Sequence, residues 1–227
     1  MPVRRAQRIA AAVAGALVLL LLLAQLFLPG IAASRISDRV GRYGRVRAVH
    51  VSAWPAVKLL WGDADSVSLR AGQLRVSPAN AAKLAHEARG VAKLDATATA
   101  VRLGSLQLSA VSLRKRGDEL SAEAFVSDSA VHAALPSSVQ LQLLRSQAGS
   151  VEVSAAGGLF GFSTSLDAVV QPREGRLVAV PRIFPLPAVT LTLFSDPHIY
   201  VGGVAASRAT SPAGEPGYRL SMRARLH

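Results

Sequence analysis

The stretch "VSAWPAVKLLWGDADSVSLRAGQLRV", residues 51–76, holds both tryptophans of a 227-residue chain that is only 5% aromatic. Pro55 keeps Trp54 extended and opens a helical turn, which Gly62 ends. Inside that turn Val57, Leu60 and Trp61 cluster by helical spacing while Lys58 sits at the edge, so no polar face is left. An all-apolar turn is either buried in its own domain or dipped into lipid. Tryptophan suits the second, because its amphipathic ring prefers the headgroup level. The "GDADS" that follows has two carboxylates two apart, but it lacks the other positions of a calcium loop and reads as a turn.

Working outward, the dominant pattern is alternation with period two, the mark of strands with one apolar face. It recurs at 46–51, 67–70, 94–100 and 106–110, with a phase slip between Ala110 and Val111 that suggests a bulge. After the Gly-Asp turn of "RKRGDEL" it resumes at 120–126, then at 139–145, 151–155, 160–170, 177–181, 189–194 and 199–205. A last strand, 218–226, opposes Leu220, Met222, Ala224 and Leu226 to arginines. Ser77 caps and Pro78 opens one long helix, with Ala81, Leu84, Ala85, Ala88 and Val91 on one face. A short second helix is expected over 128–135, stopping at Pro136.

Residues 9–28 carry no charge and one strongly polar side chain, Gln25, over a length that spans about 30 Å of hydrocarbon as a helix. Arg4, Arg5 and Arg8 precede this run, which places the remainder across the membrane. Two readings stay open: a retained single-pass anchor, or a signal peptide cut near Gly30 and Ala32. Residues 1–30 are therefore the anchor or signal segment and residues 31–227 an extracytoplasmic domain. That domain keeps 23 basic and 14 acidic side chains. Its cationic surface suits anionic headgroups and wall polymers, at about 1 kcal/mol per basic group near a charged membrane. Base stacking needs aromatics spaced along a basic sheet, and Tyr43, Tyr200 and Tyr218 are far apart, so nucleic acid is not expected.

Roughly ten strands present an apolar face, and Ala, Val and Thr at inward positions leave little to fill the space. This suggests a groove for acyl chains, and the alternative, a sheet closed on itself as a sandwich or barrel, stays open. The groove would be lined by Ala81, Leu84, Ala85 and Ala88 of the long helix. Trp54, Pro55, Val57, Leu59, Leu60 and Trp61 are the candidate membrane-contacting residues, with Lys58, Arg70 and Arg75 as candidates for headgroup binding.

Residues 51–76 resemble the signature of the LmeA-like phospholipid-binding family of actinobacterial envelope proteins. Trp54-Pro55, Leu59-Leu60-Trp61-Gly62 and Val67–Ala71 match its order of elements, with Trp54 where the family more often has phenylalanine. The resemblance implies phospholipid partners, inositol phospholipids among them, and a part in envelope or lipoglycan maintenance. It implies no known catalytic centre. It also implies an α+β fold: an N-terminal transmembrane helix, then a mostly antiparallel, strongly curved sheet wrapping one long helix, similar to half of a tubular (TULIP/BPI-like) lipid-binding module.

Catalytic and metal chemistry find little purchase. Gly161-Phe-Ser163-Thr-Ser165 lacks the second glycine of a nucleophile elbow and lies in an alternating strand. His50, His86, His132, His198 and His227 form no ligand pair at helical spacing. No catalytic residue, metal or cofactor is expected. The competing classes are an envelope scaffold with a filled β core and, behind it, an enzyme of lipoglycan assembly.

Overall fold

The computed structural model describes residues 24, 25, 27–136, 139–147, 149–159, 162–182 and 190–227. Among them the chain forms twelve strands: β1 (Gly44–Ser52), β2 (Ala64–Val76), β3 (Val91–Leu103), β4 (Leu106–Arg116), β5 (Glu119–Ser127), β6 (Val139–Gln147), β7 (Ser150–Leu159), β8 (Phe162–Arg173), β9 (Arg176–Pro181), β10 (Leu191–Phe194), β11 (Ile199–Thr210) and β12 (Pro216–Leu226). Seven make one sheet in the order β1-β2-β3-β4-β5-β12-β11, and five a second in the order β10-β9-β8-β7-β6. Every pairing is antiparallel except β2 with β3. Gly104, Gly117, Gly149 and Gly175, all at positive φ, turn four hairpins that leave no room for helices between strands.

The expected α+β fold is thereby corrected. The described residues are mostly β, with no long helix for a sheet to wrap. Helix α1 covers residues 27–41, α2 is Pro78–Glu87, and α3 is Asp128–Ala134. Ser77 caps α2 as expected, its Oγ accepting from the Asn80 N–H at 3.2 Å. However, α2 stops after ten residues, Ala88–Gly90 tighten into a 3-10 turn, and Val91 already belongs to β3. The physical reason is a close approach: a Cβ on Gly90 would lie 2.5 Å from the Gly62 carbonyl oxygen. The segment is a crossover between two parallel strands, not the axis of a groove.

The transmembrane helix of the expected fold is not found either. No helix among the described residues is long and apolar enough to cross a membrane, and residues 1–23, most of the expected span, lie outside them. What is described of the run continues as α1, whose Ala32, Ala33 and Ile36 pack against the Val51, Ala64 and Val67 cluster of the seven-stranded sheet. Arg39 pairs with Glu87 of α2 at 3.1 Å.

The β2-β3-β4 ladder runs in constant register from end to end, so alternate residues face opposite sides throughout. At one end the apolar rows Val67-Leu94, Leu69-Ala96-Leu113 and Ala71-Ala98-Val111 share the face on which α1 packs. Toward the other end that face turns polar, with the rows Gln73-Ala100-Ser109 and Arg75-Arg102-Gln107. The aliphatic rows Leu74-Val101-Leu108 and Val76-Leu103-Leu106 emerge on the reverse side. The apolar stripe thus changes faces midway along all three strands. The slip between Ala110 and Val111 is one instance of it, and there the β4-β5 register also shifts, with Ala110 at φ 48°.

The second sheet meets the first at its β11 edge. N–H groups of that edge are taken up by the second sheet: Val201 donates to the Gly175 carbonyl (2.8 Å) and Val204 to the Gly149 carbonyl (2.9 Å), both in turns, and Ala206 to Ser146 Oγ of β6 (3.0 Å). Gly175 has no substitute there, since a Cβ would lie 2.5 Å from the Tyr200 ring. Edge pairing with another chain is blocked at β11 by this arrangement.

Lys115 of β4 is the buried charged side chain of the sheet, 2% exposed, across from Leu94 on the α1 face. Its Nζ donates to the carbonyls of Arg89 (3.2 Å) and Val91, pinning the turn after α2 to the sheet. Burial lowers its pKa from 10.5, opposed by nearby Asp118. In the window between the lowered value and 10.5 the unfolded chain binds more protons, so Lys115 makes stability rise with pH there. Below that window Lys115 is protonated in both states. Urea unfolding of wild type and Lys115→Met between neutral pH and pH 10.5 should therefore show the wild type gaining on the variant as pH rises; parallel curves would exclude a buried ammonium.

Candidate functional site

The apolar turn predicted around the tryptophans is a 3-10 helix, Ala56–Trp61, entered through extended Pro55 and closed by Gly62 in the left-handed region at φ 85°. Ala56 is buried, but Trp54 is 71%, Leu60 66% and Trp61 74% exposed. Val57 and Leu59 are half-buried, Leu59 against the Val51-Val67 cluster. The turn is thus anchored by its small and inner residues and presents its largest ones to the outside.

Two side chains, one of them distant in sequence, hold it there. Gln25 Nε2 donates to the Ala53 carbonyl (3.0 Å), while its Oε1 accepts the Ala56 N–H (2.7 Å), so one amide satisfies the backbone on both sides of the Trp54–Pro55 peptide. The Asp65 carboxylate accepts the Trp54 N–H and lies 3.6 Å from Lys58 Nζ. Phe27 and Ile31 of α1, two and six residues after Gln25, lie on the helix side turned away from it and are 61% and 49% exposed. Three large apolar side chains, Trp54, Leu60 and Trp61, are exposed together on and beside the turn at one end of the molecule.

The remaining sequence candidates are dispersed. Lys58 is engaged with Asp65. Arg70 and Arg75 project from opposite faces of β2, five residues apart on an alternating strand. Of the expected groove-lining residues, Leu84 and Ala88 are half-buried, Ala88 already beyond the end of α2; the side chains of Ala81 and Ala85 lie outside the described set.

Arg70 instead belongs to a concavity of about 550 Å³ across β1–β4, at the level where the apolar stripe changes face. It is lined by Arg47, Arg70, Thr97, Thr99 and Ser112 among small residues. Arg70, Thr97 and Ser112 are direct cross-strand neighbours on one face. The Arg47 Nε lies 3.6 Å from where a Cβ of Gly72 would sit, on the same side as Arg70 two residues earlier. Among the described residues neither guanidinium has a carboxylate within 4.0 Å. A second concavity of about 590 Å³ differs: its Arg208 is held bidentate by Asp128 (2.8 and 2.9 Å) and lies 4.7 Å over the Tyr218 ring. That charge is already neutralised.

Sequence reasoning missed Gln25 as a clamp, and Arg47. The bonds of Gln25 span about thirty residues and leave no local signal. The available clue was that Gln25 is the one strongly polar side chain of the apolar run. The histidines do come together in part, the His86 and His198 rings being 5.0 Å apart. No group of three metal-ligating side chains occurs among the described residues.

The model of the family described as LmeA-like phospholipid-binding matches residues 21–197, which include the clamp, the 3-10 turn and the concavity. No curated protein and no solved structure matches the chain. The clamp is open to a direct test. Gln25→Leu keeps the helix apolar but leaves the Ala53 carbonyl and Ala56 N–H unpaired, a loss of about 1–2 kcal/mol. Hydrogen exchange at the Ala56 amide should accelerate roughly tenfold, with β12 amides unchanged.

Proposed function

The chain belongs to the LmeA-like phospholipid-binding family, and on that premise we propose that it binds phospholipids at the outer face of the cell membrane by dipping its Trp54–Trp61 end into the lipid surface. The observation that carries this reading is the joint exposure of Trp54, Leu60 and Trp61 at an end that hydrogen bonds hold in place. Water is a poor solvent for such a cluster; burying each side chain in lipid is worth about 2 kcal/mol. The chain's formal net charge of +12 favours anionic headgroups, inositol phospholipids included. The role is non-catalytic: lipid is held or moved in envelope or lipoglycan maintenance.

The thinness of the core supports lipid binding over a filled scaffold. The buried apolar positions among the described residues are mainly alanine and valine, and the largest side chain under 2% exposed is Val201.

Because the chain has only two tryptophans and both lie at this end, intrinsic fluorescence reports on it alone. With the full chain on vesicles of phosphatidylcholine and phosphatidylglycerol, brominated acyl chains should quench the emission strongly, in wild type and in Trp54→Phe and Trp61→Phe alike. Emission that stays unquenched and water-like would refute the reading.

A further inference from the structure

The reverse face of β2-β3-β4 is divided along its length into a polar and an apolar half. Its rows run Ser68-Asp95-Arg114, then Arg70-Thr97-Ser112, then a level of small residues, then Leu74-Val101-Leu108 and Val76-Leu103-Leu106. None of the six aliphatic side chains is buried; all stay half-exposed. α3 packs against β4, β5, β12 and β6, and α1 lies on the opposite face at the other end. At the boundary between the halves sits the 550 Å³ concavity with Arg47 and Arg70, whose guanidinium groups have no carboxylate partner among the described residues.

We infer that one phospholipid lies along this face, its phosphate held by Arg47, Arg70 and the hydroxyls of Thr97 and Ser112, and its acyl chain laid over the two aliphatic rows. The inference rests on the phospholipid-binding reading and gives it a place in the fold. A guanidinium without a carboxylate partner beside cross-strand hydroxyls suits a phosphate oxygen cluster, because charge-assisted bonds from a planar fork are the strongest such contacts available. A free anion would account for the arginines alone. The aliphatic rows begin four residues further along β2, about 13 Å away, and the second lies about 20 Å away. Such dimensions match an amphiphile with a long tail. Arg75 and Arg102, although close in sequence to these rows, point from the other face and take no part.

The test uses the full chain with vesicles of phosphatidylcholine and phosphatidylglycerol containing a phosphatidylglycerol analogue with a diazirine at the end of one acyl chain. After illumination, adducts should map to peptides carrying residues 74–76 and 101–108. Arg47→Gln with Arg70→Gln should cut their yield about tenfold, as loss of charge-assisted contacts predicts, whereas Arg75→Gln should leave it unchanged. Millimolar inorganic phosphate should not compete; if it abolishes the adducts, the site takes a free anion and the inference fails. Adducts confined to the second sheet or to residues 54–61, or a double-arginine variant equal to wild type, would also overturn it. Should the double variant misfold by circular dichroism, Thr97→Val keeps the shape and should still lower the yield severalfold; an unchanged yield counts against the site. Absence of adducts together with persistent tryptophan quenching defeats this site but not the membrane contact. Absence of both defeats the reading beneath it.

Discussion

A ladder in constant register has no way to absorb a shift in hydrophobic phase. In β2, β3 and β4 the shift falls at the same height, after Ala71 and Ala98 and ahead of Val111, and the pairings continue through it without a break. The apolar surface must therefore cross from one side of the sheet to the other. One cover layer cannot serve both halves. α1 takes the half near β1, with Leu59 of the 3-10 turn, and Phe194 packs on the cluster formed by Leu120, Ile199, Ala224 and Leu226. The other half, on the reverse side, is left with small rows and half-exposed leucines and valines.

The same constraint explains why the second sheet is not stacked face to face on the first, as in a sandwich. With apolar surface on both sides of one sheet, a single stacked layer would leave one side uncovered. The β6–β10 sheet instead meets the β11 edge through its hairpin turns, where Gly149 and Gly175 come close enough for backbone hydrogen bonds. That junction consumes donors that would otherwise pair with a foreign strand. It adds length to the molecule and little to its core.

Local signals carried much of the architecture. Every strand found lies on a stretch of period-two alternation, and Ser77, Ser127 and Gly62 perform the capping that their residue types favour. The slip in β4 was legible, but a slip in one strand looks like a bulge; only the register shows three at a single level. The long helix misled because Ala88 and Val91 keep the helical spacing, while the contact that ends α2, Gly90 against the Gly62 carbonyl, joins residues far apart in sequence. α1 is obscured in the sequence by the arginines between Arg35 and Arg47, although Ala32, Ala33, Ile36 and Val40 recur at helical spacing. Lys58, Arg70 and Arg75 looked equivalent as cations, and what separates them is parity along β2 and the position of Asp65.

The exposed tryptophans and the aliphatic rows stand at opposite ends of β2. The 3-10 turn leads directly into Ala64, whereas Val76 closes the strand, thirteen residues and about 40 Å on. An acyl chain on the far rows would therefore lie well outside a bilayer touched by the near end, and could remain out of it only on a surface that replaces hydrocarbon with hydrocarbon. The arginines fall between the two, about 20 Å from the turn, where a phosphate leaving the headgroup layer would first lose the charges it had there. Membrane contact, headgroup capture and chain shelter are thus set out in sequence along one strand, an order suited to drawing a lipid away from the surface rather than resting on it.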